Sequence, residues 1–437
     1  MDFSKDLICE NVSVEDGVLH FAGQNTADLA QTYGTPLYLM DEDRIRNRVA
    51  VYRDTLNECF AGKGHLLYAS KACSFKRMYA IMAEEGVGVD VVSAGEIATA
   101  HKAGFPMEHA CFHSNNKTDW DIAYAMDCGV GTFVVDHPEE LAAIDAIAGA
   151  KGVVQPVMLR ITPGIDCHTY EAVNTGKVDS KFGSAIVTGD ASRITKQALD
   201  AANVKLGGFH CHIGSQLFDS AVYLATVDVM VAFLKEMQDT YGYSADKLDI
   251  GGGYGVRYVA ADPVIDIAAN IRQVAAYMKA KVAEAGIPMP HIYMEPGRSI
   301  VADAGMTLYT VGAVKKIEGY KNYVSIDGGM TDNPRFALYG SEYTVLPAAR
   351  MGADRAMIAD VVGRCCESGD IIQPDVAMPA DMVRGDLVAV LTTGAYNYSM
   401  ASNYNRIPRP PVVMLRGGDS YVAVRRETLE DILALDE

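Results

Sequence analysis

HLLYASKACSFKRMYAIMAEEGVGVDVV (65–92) carries the beat from which the fold is read. A short apolar run ends in polar residues, a helical pattern (FKRMYAIMAEE) follows, and a second short apolar run closes the stretch. The same beat continues downstream through HACFH (109–113), GTFVVD (131–136), QPVMLRI (155–161), KLGGFHCHI (205–213), KLDI (247–250) and HIYME (291–295). With HLLYAS (65–70) and VGVDVV (87–92) this gives eight candidate strands separated by helical segments such as HPEELAAIDAIAGA. Alternating β and α predicts a parallel sheet, and a count of eight predicts closure into a TIM-type barrel.

Beyond residue 300 the texture changes. TLYTVGAV, NYVSID, AMIADVVG, DLVAVLTT, PVVMLR and SYVAVRR are short and β-prone, broken by Gly, Asp, Asn and Pro. The first 35 or so residues also read as strands and turns (VSVEDGVLHFAG). The expected class is therefore α/β: a (β/α)8 barrel over 36–300, plus a C-terminal all-β domain of sandwich or barrel type over 301–437, completed by residues 1–35. No fixed-period repeat or low-complexity tract interrupts this plan.

At 437 residues, with 49% hydrophobic and 22% charged residues, the chain has enough apolar content for a large core and does not resemble a disordered protein. A net charge of -18 argues against nucleic acid or an anionic membrane as partner. The nine cysteines are irregularly spaced and form no CxxC or His/Cys array of the zinc type, so reduced thiols and no metal are expected. The acidic start (MDFSKDLICENV) has no apolar leader core, and no run of ~18 apolar residues occurs. A cytoplasmic location is expected.

Barrel chemistry sits at the C-terminal ends of the strands. Those ends here carry Lys71, Asp90 with Ser93, His113 with Asn115, Asp136, Arg160, His210 with His212, Gly251-Gly252-Gly253, and Glu295 with Arg298. Taken singly, each is equally a polar loop residue; together they describe a lined pocket. GGGYG (251–255) and EPGRS (295–299) follow the seventh and eighth strands, where barrels frequently bind phosphate and glycine lets backbone N–H groups approach an oxyanion. Lys71 at the end of the first strand is placed for Schiff-base chemistry, unless it is a solvated loop lysine. Glu295 has the charge to hold a protonated pyridine nitrogen. His212 is either a ring stacked on a cofactor or a structural histidine.

At this point the residues match a family. YASKA, GVDVVSAGE (88–96), SKFG (180–183), HCHIGSQ (210–216), LDIGGGYG (248–255), EPGRS, DGGM (327–330), CESGD (366–370) and GAYNYSMASNYN (394–405) occur in order over nearly the whole chain. In this the chain resembles the diaminopimelate decarboxylases, members of the alanine-racemase-like class of pyridoxal-phosphate enzymes. The resemblance implies a barrel plus a β domain, and decarboxylation of meso-diaminopimelate to lysine and carbon dioxide. It implies Lys71 as Schiff-base lysine, His212 on the cofactor ring, and Ser215, Gly252, Gly253 and Gly297 about the phosphate. Glu295 becomes the pyridine-nitrogen partner, with Asp90, Arg160 and Tyr396 as further cofactor contacts. Cys366 becomes the proton donor and Glu367 the partner of the substrate's distal ammonium. Arg335 and Tyr339 become binders of the distal carboxylate, as does Arg298 unless it serves the cofactor phosphate; Tyr396 also borders the substrate. Because CESGD reaches the neighbouring subunit's barrel in this family, a homodimer with shared sites is implied. Cys73 stands where asparagine is common, and HSNNK (113–117) and RITPG (160–164) are variants of the family's forms. A decarboxylase of ornithine, arginine or a carboxylated polyamine is the alternative within enzymes. A silent cofactor-binding regulator is the alternative outside them.

Overall fold

The computed structural model describes residues 3, 5–165 and 179–437. The chain forms two compact units, one of Arg48–Gly255 and Ile265–Ser299, the other of Met1–Asn47, Val256–Val264 and Ile300–Glu437.

The first unit is the expected barrel. Its strands are β1 (Gly64–Ala69), β2 (Gly88–Val91), β3 (Ala110–Phe112), β4 (Thr132–Val135), β5 (Gln155–Thr162), β6 (Val204–His210), β7 (Lys247–Asp249) and β8 (His291–Met294). Every neighbour is parallel, β8 pairs with β1, and β4 pairs with β5, so no edge is left. β4 is buried along its whole length, as a parallel strand covered on both faces must be, which is why it reads as an unbroken apolar run. Leu67, Cys111, Val134 and Met158 pack together, drawn from β1, β3, β4 and β5. Helices follow β1 to β7; that after β6, Ser220–Tyr241, shows why they form. Asp219 caps its start, Gly242 at φ 65° ends it, and Tyr223, Thr226, Val227, Met230, Val231, Leu234 and Met237 are buried at helical spacing. Each such large apolar side chain contributes ~1.5–3 kcal/mol by leaving water.

Strand register sets the mouth of the barrel. Ala69 lies opposite Asp90, and His210 lies opposite both Arg160 and Asp249. The polar residues at the strand ends are thus level with one another.

The second unit is built on a mixed sheet. Its long strand Gly305–Ile317 pairs antiparallel with Leu37–Asp41, with Leu387–Leu391 and with Lys321–Ile326. Leu37–Asp41 also runs parallel to Val412–Arg416, so the N-terminal part of the chain is sewn into the β unit. Strands Val12–Glu15, Val18–Phe21 and Gln24–Asn25 add a small second sheet, and Leu19, Phe21, Leu37, Leu39, Met306, Leu308 and Val413 share one core. Where the sequence suggested only strands and turns, residues Thr26–Tyr33 form a helix, capped by the Asn25 side chain and ended by Gly34. The helix Arg335–Tyr339 is a second departure from an all-β texture.

Candidate active site

Lys71 occupies a single helical turn, Ser70–Ala72, directly after β1. In the same turn Ser70 Oγ, and after β2 the Val92 N–H, both donate to Glu96 Oε2 at 2.8 Å. Burial pushes the Glu96 carboxyl up to about 6. Lys71 is close enough to Asp90 and His212 to act on both. Burial raises the Asp90 carboxyl, and the charges of His113 and Lys71 pull it part of the way back.

Glu295, just past β8, is the centre of the polar cluster. His113 Nε2 stands 2.7 Å from its Oε1, and His210 Nε2 stands 3.0 Å from its Oε2. Burial alone would push this carboxyl up, but the two imidazoles outweigh it and hold Glu295 well below the usual carboxylate range. Asp249, at the end of β7, is pushed well up by burial and then by Glu295. The Gly251 N–H donates to Asp249 Oδ1 at 2.7 Å. Burial lowers His210 to about 4, leaving a neutral ring whose Nε2–H points at Glu295. His113, His210 and Glu295 bring ligand atoms within 4.8 Å of one another. Their N···O approaches are nevertheless those of directly bonded partners; a shared metal ion would stand at ~2.0–2.2 Å from each and hold them farther apart.

The glycine loop lies against the loop that follows His212. Leu217 N–H donates to Gly253 O and Gly255 N–H to Leu217 O, both at 2.9 Å. Gly253 has φ +107°, open to glycine almost alone, and a Cβ on Gly252 would stand 2.1 Å from Glu295 O. Gly252 N–H donates to His212 Nδ1 at 3.4 Å, which puts the ring's proton on Nε2. Burial, then Lys71 and Arg160, hold His212 far below the ordinary imidazole value, so it is neutral. Arg298 Nε donates to Ser215 Oγ at 3.1 Å, and the Arg160 guanidinium lies 4.2 Å from the centre of the Phe182 ring. Lys71, Asp90, Arg160, His212, Ser215, Gly252, Gly253, Glu295, Gly297 and Arg298 therefore all belong to the barrel unit and to the loops beyond its strand ends.

The remaining candidates belong to the β unit. Arg335, 7% exposed, places its guanidinium 5.0 Å from the Tyr339 ring centre and 5.3 Å from that of Tyr396. Its Nε has no hydrogen-bond partner among the described residues. Tyr396 holds φ 62°, a strained value for a side chain of its size. Cys366 and Glu367 stand exposed on a different loop, where Cys366 N–H donates to Asn405 Oδ1 at 2.8 Å.

The grip of His113 and His210 on Glu295, and the carboxyls of Asp249 and Glu96, are the parts the sequence reading did not assign. Asp249 was within reach, since it is one more polar residue closing an apolar strand. Glu96 lies in the first turn of a helix, and only folding shows that it turns back to Val92 and to Ser70, the chain neighbour of Lys71.

Among the described residues no helix is long and apolar enough to cross a membrane. Residues 42–302 match a family described as pyridoxal-dependent decarboxylase, pyridoxal binding domain. The chain is 42% identical over 423 residues to a diaminopimelate decarboxylase of Bacillus subtilis, covering 97% of this chain and 96% of the relative. Among solved structures, a diaminopimelate decarboxylase from M. jannaschii in complex with L-lysine superposes with a TM-score of 0.89 at 31% identity, covering 98% of each chain. One from Helicobacter pylori, also complexed with L-lysine, gives 0.85 at 31%, covering 94% of this chain and 99% of that one. With the barrel, the level ring of polar strand ends and these matches together, the chain belongs to the pyridoxal-dependent decarboxylases and, among them, to the diaminopimelate decarboxylases.

Proposed function

We propose that this chain decarboxylates meso-diaminopimelate to lysine and carbon dioxide, using pyridoxal phosphate held at the mouth of its barrel. The observation that carries the reading is an ionised, buried Glu295 after β8, on the strand next to the one that Lys71 follows. The residues fit that cofactor. Asp90 Oδ1 is buried without a hydrogen-bond partner among the described residues, and the glycine turn at 252–253 leaves no room for side chains where a phosphate needs backbone N–H groups.

Bound there, pyridoxal phosphate supplies the electron sink that makes loss of an α-carboxylate feasible. Lys71 supplies the amine that anchors it, and Glu295 keeps a proton at the ring nitrogen because the carboxylate stays charged. His212, neutral and fixed by Gly252, offers a flat apolar face for the ring. Gly252, Gly253, Gly297 and Ser215 take the phosphate, with Arg298 adding charge there or at the substrate. Asp90 and Arg160 complete the lining, and Tyr396 borders cofactor and substrate.

Arg335, between two tyrosine rings, binds the distal carboxylate, with Tyr339 beside it and Glu367 taking the distal ammonium. Cys366 returns a proton to the carbon that lost its carboxylate. We further propose a homodimer in which Cys366 and Glu367 serve the neighbouring subunit's barrel; their exposure in the single chain supports this. A cytoplasmic setting suits the free thiols among the described cysteines.

The test is carbon dioxide release with added pyridoxal phosphate, offering meso-diaminopimelate, ornithine and arginine separately. Release from diaminopimelate alone is expected; release only from ornithine or arginine refutes the assignment of Arg335. Lys71→Ala should also abolish cofactor trapping by borohydride, and full trapping in that variant would remove Lys71 from its role.

A further inference from the structure

The CESGD turn has a residue whose side chain faces neither water nor any site described above. Asp370 is 3% exposed. Its Oδ1 accepts the Met330 N–H at 2.6 Å and its Oδ2 accepts the Cys365 N–H at 2.7 Å. One carboxylate thus joins two loops: DGGM, which leads to Arg335, and the turn that carries Cys366 and Glu367. The backbone is laced in the same way, with Gly363 N–H donating to Asp370 O at 2.9 Å and Arg364 N–H to Gly328 O at 3.0 Å.

Room for the carboxylate is made by two glycines. A Cβ on Gly363 would stand 2.2 Å from Asp370 Oδ2, and one on Gly329 would stand 2.6 Å from the same oxygen. The DGGM side is braced independently, since Gly329 N–H donates to Asp332 Oδ2 at 3.0 Å and Tyr309 bonds the same carboxyl. The Cys366 turn is otherwise tied to Asn405 through the Cys366 N–H and within itself, with Glu367 N–H donating to Cys365 O at 2.8 Å and Gly369 N–H to Glu367 Oε1 at 3.2 Å.

We propose that Asp370 is a positioning residue that fixes the Cys366–Glu367 turn against the loop leading to Arg335. This rests on the role given to Cys366 above. Asparagine at 370 keeps the size but presents an NH2 group to one of the two N–H donors, so one loop is released. A shift of about 1 Å in a reacting group is enough to cost roughly 100-fold in rate.

The experiment compares holoenzymes carrying Asp370→Asn, Gly363→Ala, Cys366→Ala and the Asp370→Asn/Cys366→Ala pair. Gly363→Ala leaves the carboxylate chemically intact but drives a methyl group against it and against Gly329 Cα, so both sides of the junction must part, and the cofactor content of each variant reports folding. The first readout is the rate of iodoacetamide alkylation of Cys366, located by peptide mass. At least a threefold change is expected in both Asp370→Asn and Gly363→Ala with cofactor content intact; an unchanged rate overturns the proposal. The second readout is kcat, expected to fall at least tenfold in Asp370→Asn but no further when Cys366→Ala is already present. A multiplicative fall in the pair overturns the proposal. Full activity in Cys366→Ala would instead refute the role of Cys366, and the alkylation rate then decides the positioning role on its own.

Discussion

Replacing Arg335 by alanine should separate ligands that carry a distal carboxylate from those that do not. The guanidinium is buried, 5.0 and 5.3 Å from the ring centres of Tyr339 and Tyr396, and its Nε has no partner among the described residues, which leaves an N–H to offer the distal carboxylate proposed above. A bidentate carboxylate contact makes two charge-assisted hydrogen bonds, each contributing ~1.5–3 kcal/mol. The low end of their sum, about 3 kcal/mol, is roughly a 100-fold loss in kcat/KM at ~1.4 kcal/mol per decade. Because this carboxylate is remote from the bond that breaks, the loss should fall mainly on KM. Decarboxylation leaves lysine with the distal carboxylate, so competitive inhibition by lysine should weaken by about the same factor. Cadaverine has no carboxylate, and its inhibition constant should be unchanged. Arg335→Lys should recover little, because an ammonium lacks the planar fork that the rings orient. Steady-state assays with lysine and cadaverine as inhibitors test this. Diaminopimelate kcat/KM and lysine inhibition both staying within threefold of the unmodified enzyme would refute the reasoning.

Three further outcomes are expected. Glu96 carries a carboxyl raised from 4.5 to about 6, which costs roughly 2 kcal/mol of stability above pH 6 and is relieved as pH falls towards 4.5. Glu96→Gln should therefore stabilise the protein at pH 8, and the gain should vanish below pH 4.5, as followed by urea unfolding. Lys117 is buried and donates to Glu140 Oε1 and Val134 O, each at 2.7 Å, so Lys117→Met should destabilise by ~3–5 kcal/mol by stranding the Glu140 charge. Adding Glu140→Leu should restore most of that loss in the same denaturation assay. Gly252→Ala drives a methyl group against Glu295 O, and equilibrium dialysis should show at least tenfold weaker cofactor binding with the far-ultraviolet spectrum retained.

The barrel was legible because its strands are fully covered and end in polar residues; both marks survive in a linear reading. Leu37–Asp41 was harder. All five of its residues are buried, so it shows no alternation, and nothing local says which sheet it joins. At the site, Lys71, His212, Glu295 and the glycines follow from position on the barrel, whereas the meeting of Arg335 with Tyr339 and Tyr396 came only through resemblance. Tyr396 is some sixty residues from Arg335, and no periodicity links a guanidinium to a ring at that distance. The paired histidines on Glu295 escaped for a related reason. Each closes its own strand, and their convergence exists only once β3, β6 and β8 share a barrel.

The central seam of the β unit also sets a timetable for synthesis. Leu37–Asp41 leaves the ribosome early, yet its parallel partner Val412–Arg416 is made about 370 residues later. At ~5–20 residues per second that is a delay of roughly 20–75 s. Throughout it, one edge of an apolar strand must be kept from pairing elsewhere, while the other waits only for Gly305–Ile317. The barrel's own strands are all translated within that interval, so it is able to close first. A strand made late in the chain is then what ends the vulnerability of one made early.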